Sequence, residues 1–185
     1  MIYSGIIEGR YVDLRSCTED DAEFTLALRQ DPELGRFFPA VDNTVEKQRE
    51  WIRRQREKAG DYFFVVLNKA GERIGTVAVY NIKGDEGEGG RLIVRSDGPF
   101  DAMEAQLLLF KFSFYILGLR NVKSYVQADN QRALRFNRQC CGKMFEPVMN
   151  EAGTMIVPVE TTKEMFDKIE KRIGSMIYRE SKRKN

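Results

Sequence analysis

Polar and apolar positions alternate over residues 10 to 15 (RYVDLR), a period of two that predicts a strand. Thr18 then offers an N-cap to a helix running through about Gln30, which closes before Pro32. Thr44 caps a second predicted helix, VEKQREWIRRQREK. Its apolar residues are few, so it is expected at the surface with Trp51 and Ile52 turned inward, and Gly60 ends it. YFFVVLN (62 to 68) and RIGTVAVYNI (73 to 82) are strand-like runs joined by KAGE, the pattern of a hairpin. The acidic, glycine-rich GDEGEGG reads as a loop, after which RLIV at 91 to 94 reads as a third strand. From Met103 to Leu117 the chain is apolar nearly all round and free of Gly and Pro, which predicts a buried helix stopped by Gly118. NVKSYVQA (121 to 128) alternates as a strand, and Asp129 or Asn130 caps a short helix, QRALRFNRQ. Beyond Gly142 come two more strands, around 143 to 149 and 154 to 159. A last amphipathic helix, about 162 to 178, presents Met165, Ile169, Ile173 and Met176 on one side.

No repeat or linker divides the 185 residues, so one mixed α+β domain is expected. With 42% hydrophobic and 31% charged residues the composition is that of a globular domain. Neither a leader nor a long apolar run is visible, so the expectation is a cytoplasmic protein without a membrane partner. Lys and Arg number 30 against 28 Asp and Glu, a net charge of +2 that creates no general attraction for nucleic acid. The basic tail at 181 to 185 reads as a solvated terminus. Cys17 and the adjacent Cys140 and Cys141 make a poor disulfide framework, which fits a reducing compartment. The chain has no histidine, which removes histidine-assisted nucleophiles and most zinc sites; no metal is expected. Proton transfer then falls to carboxylates, Tyr, Lys, Cys or water.

Three segments carry a family likeness: GRYVDLRSCTEDDAEFTLALRQDPE, ERIGTVAVYNI and GLRNVKSYVQADNQRAL. Together with the element order they resemble the GNAT (Gcn5-related N-acetyltransferase) superfamily, with the Rim-type branch as the nearest likeness. The likeness extends from Gly9 to about residue 160. It implies a central, mostly antiparallel mixed sheet of about seven strands with flanking helices. It also implies acetyl-CoA as cosubstrate and a primary amine of a small molecule, nucleotide sugar or peptide N-terminus as acceptor. A catalytically impaired binding or scaffold protein is the alternative, and a homodimer would be ordinary.

In this family a loop opening the central helix wraps the pyrophosphate with backbone N–H groups, helped by the helix dipole. The pattern Q/R-x-x-G-x-G/A falls on Asp97, Gly98, Pro99, Phe100, Asp101 and Ala102, where only Ala102 conforms. Phe100 stands at the close-approach glycine and Pro99 lacks an N–H. Shifting the pattern to begin at Arg95 restores R-x-x-G but loses the final small residue. The resemblance assigns cofactor binding to Leu92, Ile93 and Val94 on the strand, to Gly98, Phe100, Asp101, Ala102 and Met103 at the helix, and to Asn130 and Asn137 opposite. EGGR at 88 to 91 resembles the family's "E-x-G-R" strand and makes Glu88 the candidate base. Asn137 stands where the family carries an acidic tyrosine, leaving Cys140, Cys141, Tyr80 and Tyr125 as candidate proton donors. The acceptor pocket is expected from 35 to 43, the second helix and the late strands, with Phe37, Phe38, Trp51 and Tyr80 as an apolar wall.

Overall fold

The computed structural model describes residues 1–39, 43–95 and 98–181; Asp97 and the tail at 182–185 lie outside them, as does part of the expected acceptor segment. The chain opens with β1 (Ile6–Glu8) and β2 (Val12–Ser16), followed by α1 (Ala22–Gln30) and α2 (Val45–Glu57). Next come β3 (Tyr62–Asn68), β4 (Arg73–Lys83) and β5 (Glu86–Val94). Then follow α3 (Asp101–Lys111), continued by a π-helical turn at Phe112–Ile116, β6 (Asn121–Gln127) and α4 (Gln131–Cys140). β7 (Lys143–Met144), β8 (Val148–Met149), β9 (Met155–Thr162) and α5 (Lys163–Ser181) complete the chain.

Among the described residues the nine strands form one sheet in the order β1-β2-β3-β4-β5-β6-β9-β7, with β8 also on β9. The pairing of β5 with β6 is parallel, and the others are antiparallel. The strand count exceeds the expected seven because the three-residue β1 carries little alternation of its own and the strand expected around 143 to 149 divides into β7 and β8. Strand register sorts the side chains between two faces. Leu14, Phe64, Val66, Val77 and Val79 pack with Leu109, Phe110 and Phe112 under α3. Cys17, Phe63, Val65 and Ala78 pack with Ile52 under α1 and α2.

α2 has few apolar residues, and polar anchors hold it down. Gln48 Nε2 donates to Thr25 Oγ1 at 3.0 Å, and Gln55 Nε2 donates to the carbonyl and carboxylate of Asp61 at 2.9 and 3.0 Å. Ile52 is fully buried as expected, whereas Trp51 stays 37% exposed at the rim. In α5 the buried stripe is Phe166, Ile169, Ile173 and Ile177; Met176 points outward, because the stripe drifts with the 3.6-residue period.

The segment GDEGEGG is mostly strand and not loop. The turn lies at Gly84, φ 60°, and Glu86 to Gly90 continue the ladder. Glycines are needed there because side chains of β4, of β6 and of the turn before β6 pack close. A Cβ at Gly87 would lie 3.1 and 3.2 Å from Ile82 and Leu119 side-chain carbons, and one at Gly89 would lie 3.0 Å from Val122. Glu88 is thereby fixed on a strand, half-buried.

Candidate active site: the gap between β5 and β6

β5 pairs with β6 only through Glu86, Gly87 and Glu88, opposite Asn121, Val122 and Lys123. Beyond Glu88 the two strands separate. β6 continues along β9 and β5 continues along β4, so each keeps one ladder and leaves the edge toward the other unpaired. A bulge bends β5 at this point. Ala78 opposes Gly90 while Thr76 opposes Ile93, which leaves Arg91 and Leu92 across from Val77. Arg91 takes φ 52°, and Thr76 Oγ1 donates to its carbonyl at 2.9 Å. Leu92, Ile93 and Val94 therefore lie on the stretch of β5 whose edge toward β6 is unpaired.

The bulge aims Arg91 across the face under α1 and α2. Its guanidinium pairs in bidentate fashion with buried Asp61, at 2.8 and 3.1 Å, and lies 4.3 Å from the ring centre of Tyr80 and 5.2 Å from that of Trp51. Tyr80 is in register with Glu88, and Glu88 with Lys123, so the three share that face at the closed end of the gap. The phenol of Tyr80 lies over Gly90, where a Cβ would come within 2.8 Å of its hydroxyl. Burial, and then the negative charge of Glu88, push the Tyr80 pKa above its ordinary value. Tyr80 is thus a phenol and not a phenolate at neutral pH. Tyr125, two residues beyond Lys123, shares the face and is 52% exposed. Gln127 on the same strand donates to the carbonyl of Phe37 at 2.9 Å, tying the segment after α1 to β6.

The helix end of the gap differs from what the loop pattern suggests. Phe100 does not fill the gap. Its ring is buried 5.5 Å from that of Tyr11, which sits beside β2, three strands from β5. Ala102 and Met103 occupy the first turn of α3, where backbone N–H groups have no carbonyl one turn back. The Asp101 carboxylate folds back over Gly98, so closely that a Cβ on Gly98 would collide with it. On the same helix Glu104, buried, accepts from the backbone amides of Arg10, Tyr11 and Val12 at 2.6 to 2.9 Å and pins α3 to the β1–β2 turn.

Opposite, Asn130 caps α4, its side chain accepting from the amide of Ala133 at 3.0 Å. Asn137 is buried and donates to the carbonyl of Ala133 at 2.8 Å. Burial raises both neighbouring thiols, Cys140 to about 12 and Cys141 further. A thiol that weak as an acid is a poor proton source for another thiolate, whose ordinary pKa is about 8.5. Tyr80 and Tyr125 remain as the hydroxyl donors beside the gap. Two groups went unrecognised in the sequence: Asp61, whose role depends on the Arg91 bulge, and Arg29 on α1. No periodicity marks either one.

Among the described residues no cluster of three or more His, Cys, Asp or Glu side chains is arranged to hold a metal, and no helix is long and apolar enough to cross a membrane. A family model, acetyltransferase (GNAT) domain, matches residues 12–140. The chain belongs to the GNAT acetyltransferases. No curated protein matches the sequence. Solved structures do match its fold. Apo FdhC, a nucleotide-linked sugar GNAT, is 20% identical with a TM-score of 0.78 over 93% of this chain and 98% of that one. Spermidine N-acetyltransferase from Vibrio cholerae, in complex with CoA and spermine, is 17% identical with a TM-score of 0.75 over 84% and 98%. At these identities the likeness is one of fold.

Proposed function

We propose that the protein transfers an acetyl group from acetyl-CoA directly to a primary amine of a small molecule, a nucleotide-linked sugar or a peptide N-terminus. The observation that carries this reading is the gap between β5 and β6 with Glu88 at its closed end. The residues present fit the cosubstrate. The unpaired backbone edge at Leu92, Ile93 and Val94 supplies hydrogen-bonding groups for an extended amide chain. The first-turn amides of Ala102 and Met103 supply donors for a pyrophosphate. Acetyl-CoA, when bound, supplies the thioester that is the acetyl donor.

The rest falls to the chain's own groups. An amine arrives as an ammonium and must lose a proton before it is nucleophilic. Glu88 has no hydrogen-bond or ion-pair partner among the described residues, so its carboxylate is open to receive that proton, directly or through water. Arg91 is held by Asp61 and stacked on Tyr80, and this fixes the Tyr80 ring against Gly90 beside Glu88. The Tyr80 hydroxyl then orients the amine or returns a proton to the leaving group.

A scaffold role is the second reading, and the Asp101 carboxylate over Gly98 is the observation that favours it. Titration with acetyl-CoA separates the two: binding below millimolar concentration is expected, and none at all would sink the enzyme. With the cosubstrate bound, Glu88→Gln should cut turnover at saturating amine by roughly a hundredfold or more, the usual scale for a general base. An unchanged rate would remove Glu88 from the mechanism.

A further inference from the structure

Arg29 is a cation beside the gap that no described carboxylate neutralises. It sits in the last turn of α1, its guanidinium carbon 5.0 Å from the ring centre of Phe38, and Nη2 donates to the carbonyl of Pro39 at 3.0 Å. Nε is buried and has no hydrogen-bond partner. Nearly all buried N–H donors in folded proteins are paired, so an orphan on a permanently charged guanidinium calls for an explanation. Burial, and then the positive charge of nearby Arg91, both weigh against the Arg29 cation. An incoming anion would relieve both. The segment that carries Phe38 and Pro39 also reaches β6 through Phe37 and Gln127, and Gln127 alternates with Lys123, the register partner of Glu88, so Arg29 lies over the sheet face that carries Glu88.

The acids around the gap point the same way. On β4, β5, β6 and β9 the carboxylates are Glu86, Glu88 and Glu160. Glu86 is engaged by Lys123 at 2.7 Å and by Asn121, and Glu160 accepts from Asn121 at 2.6 Å. Asp61, just before β3, is taken by Arg91. Glu88 alone of these stays open, so a polyamine would find a single carboxylate for its several ammonium groups and would face Arg29.

We infer that the acceptor is an amine that also carries an anionic group, a carboxylate or a phosphate, held by Arg29 while its amine lies toward Glu88. This rests on the N-acetyltransferase reading for the amine, but the anion subsite is testable without turnover. Matched pairs isolate the charge: glucosamine 6-phosphate against glucosamine, and L-phenylalanine against L-phenylalaninamide, each titrated calorimetrically into the intact protein, with spermidine as the polycation. The anionic member of at least one pair should bind about tenfold tighter or more, the scale of one charge-assisted hydrogen bond. The pair that shows the preference identifies phosphate or carboxylate as its source. Arg29→Ala should bring the ratio close to one, and Arg29→Lys should restore part of it. Should the alanine variant fail to fold, Arg29→Gln serves the same comparison.

Ratios near one in the unmutated protein would overturn the inference, as would spermidine binding more tightly than either anion. A ratio that survives Arg29→Ala, with both members weakened alike, would also overturn it, because that is what a merely structural arginine does. Loss of acetyl transfer with anion binding intact would count against the enzymatic reading and leave the subsite standing.

Discussion

Under α3, Phe112 meets the rings of Tyr3, Tyr62 and Phe64 edge-on at 5.0 to 5.2 Å, and Phe110, Phe114 and Phe166 pack beside it. Under α1 and α2, the same sheet carries one small apolar cluster, joined by the amide hydrogen bonds of Gln48 and Gln55 and by charged pairs: Arg91 with Asp61, and Arg15 and Arg73 with Asp21. The apolar burial that the rings under α3 provide is non-directional and indifferent to pH, which suits a face that only has to hold the sheet together. Ion pairs and bidentate hydrogen bonds fix side-chain orientation, and they lie on the face that carries Tyr80 and Glu88. The orientation comes with a dependence on proton concentration that the aromatic face lacks.

The strongest way to break this comparison is Phe112→Ala. The ring is fully buried, and its removal should cost about 3–5 kcal/mol, as large aromatic truncations do. Urea unfolding should give nearly the same loss at pH 7 and at pH 5. A loss under about 1.5 kcal/mol would mean that the face under α3 is looser than its ring contacts imply.

Asp21 tests the other face. Burial alone would raise its pKa, but hydrogen bonds from the Arg15 guanidinium, the Thr18 amide and Arg73 more than reverse that and hold it at about 2, against an ordinary 3.8. A depressed folded-state pKa stabilises the protein at any pH above the unfolded value, and the contribution disappears as the pH falls through the folded value. The window is therefore roughly pH 4 down to 2, and the contribution lost is about 2 kcal/mol. Asp21→Asn should remove that step from the acid-unfolding curve and lower stability at pH 7 by a similar amount. An acid transition of unchanged size in the variant would put the pH dependence elsewhere.

How far the residues alone could show this depends on whether the cause is local. The α3 helix is legible because Met103 to Leu117 is apolar on every side, and α2 because Thr44 caps it; both follow from rules acting within a few residues. The strand character of Glu86 to Gly90 was hidden. Gly-rich acidic sequence ordinarily marks a loop, and the reason for glycine here is the distant side chains of Leu119 and Val122. The same holds for Phe100. It stands at a position reserved for glycine, and the sequence does not show that its ring turns to Tyr11, some ninety residues earlier. The EGGR likeness drew attention to Glu88 and the strand after it, and the structure sets Glu88 where β5 and β6 part and Leu92 to Val94 beyond that point. Asp61 and Arg29 were not legible, because a lone charged residue carries no pattern until the fold supplies its neighbours.

The smallest expected effect lies at the mouth of the gap, where the comparison between faces ends and the question of the cosubstrate begins. The carboxylate of Asp101 stands over Gly98 at the positive end of α3, so it takes the place in the helix field that a pyrophosphate would share. Two negative groups in partly screened surroundings repel by about 1 kcal/mol or more. Asp101→Asn keeps an oxygen near Gly98 and removes the charge, so the two consequences have opposite signs. Loss of the favourable charge at the helix N-terminus should lower stability by about 0.3–1 kcal/mol. Removal of the repulsion should tighten acetyl-CoA binding by about fivefold. Thermal melts without ligand and calorimetric titration with acetyl-CoA read these separately, and the gain in affinity should shrink as salt is raised. Affinity that stays level or falls would show that the carboxylate helps to shape the loop instead of competing for it, and Asp101 would then belong with Glu104 among the groups that hold α3 in place.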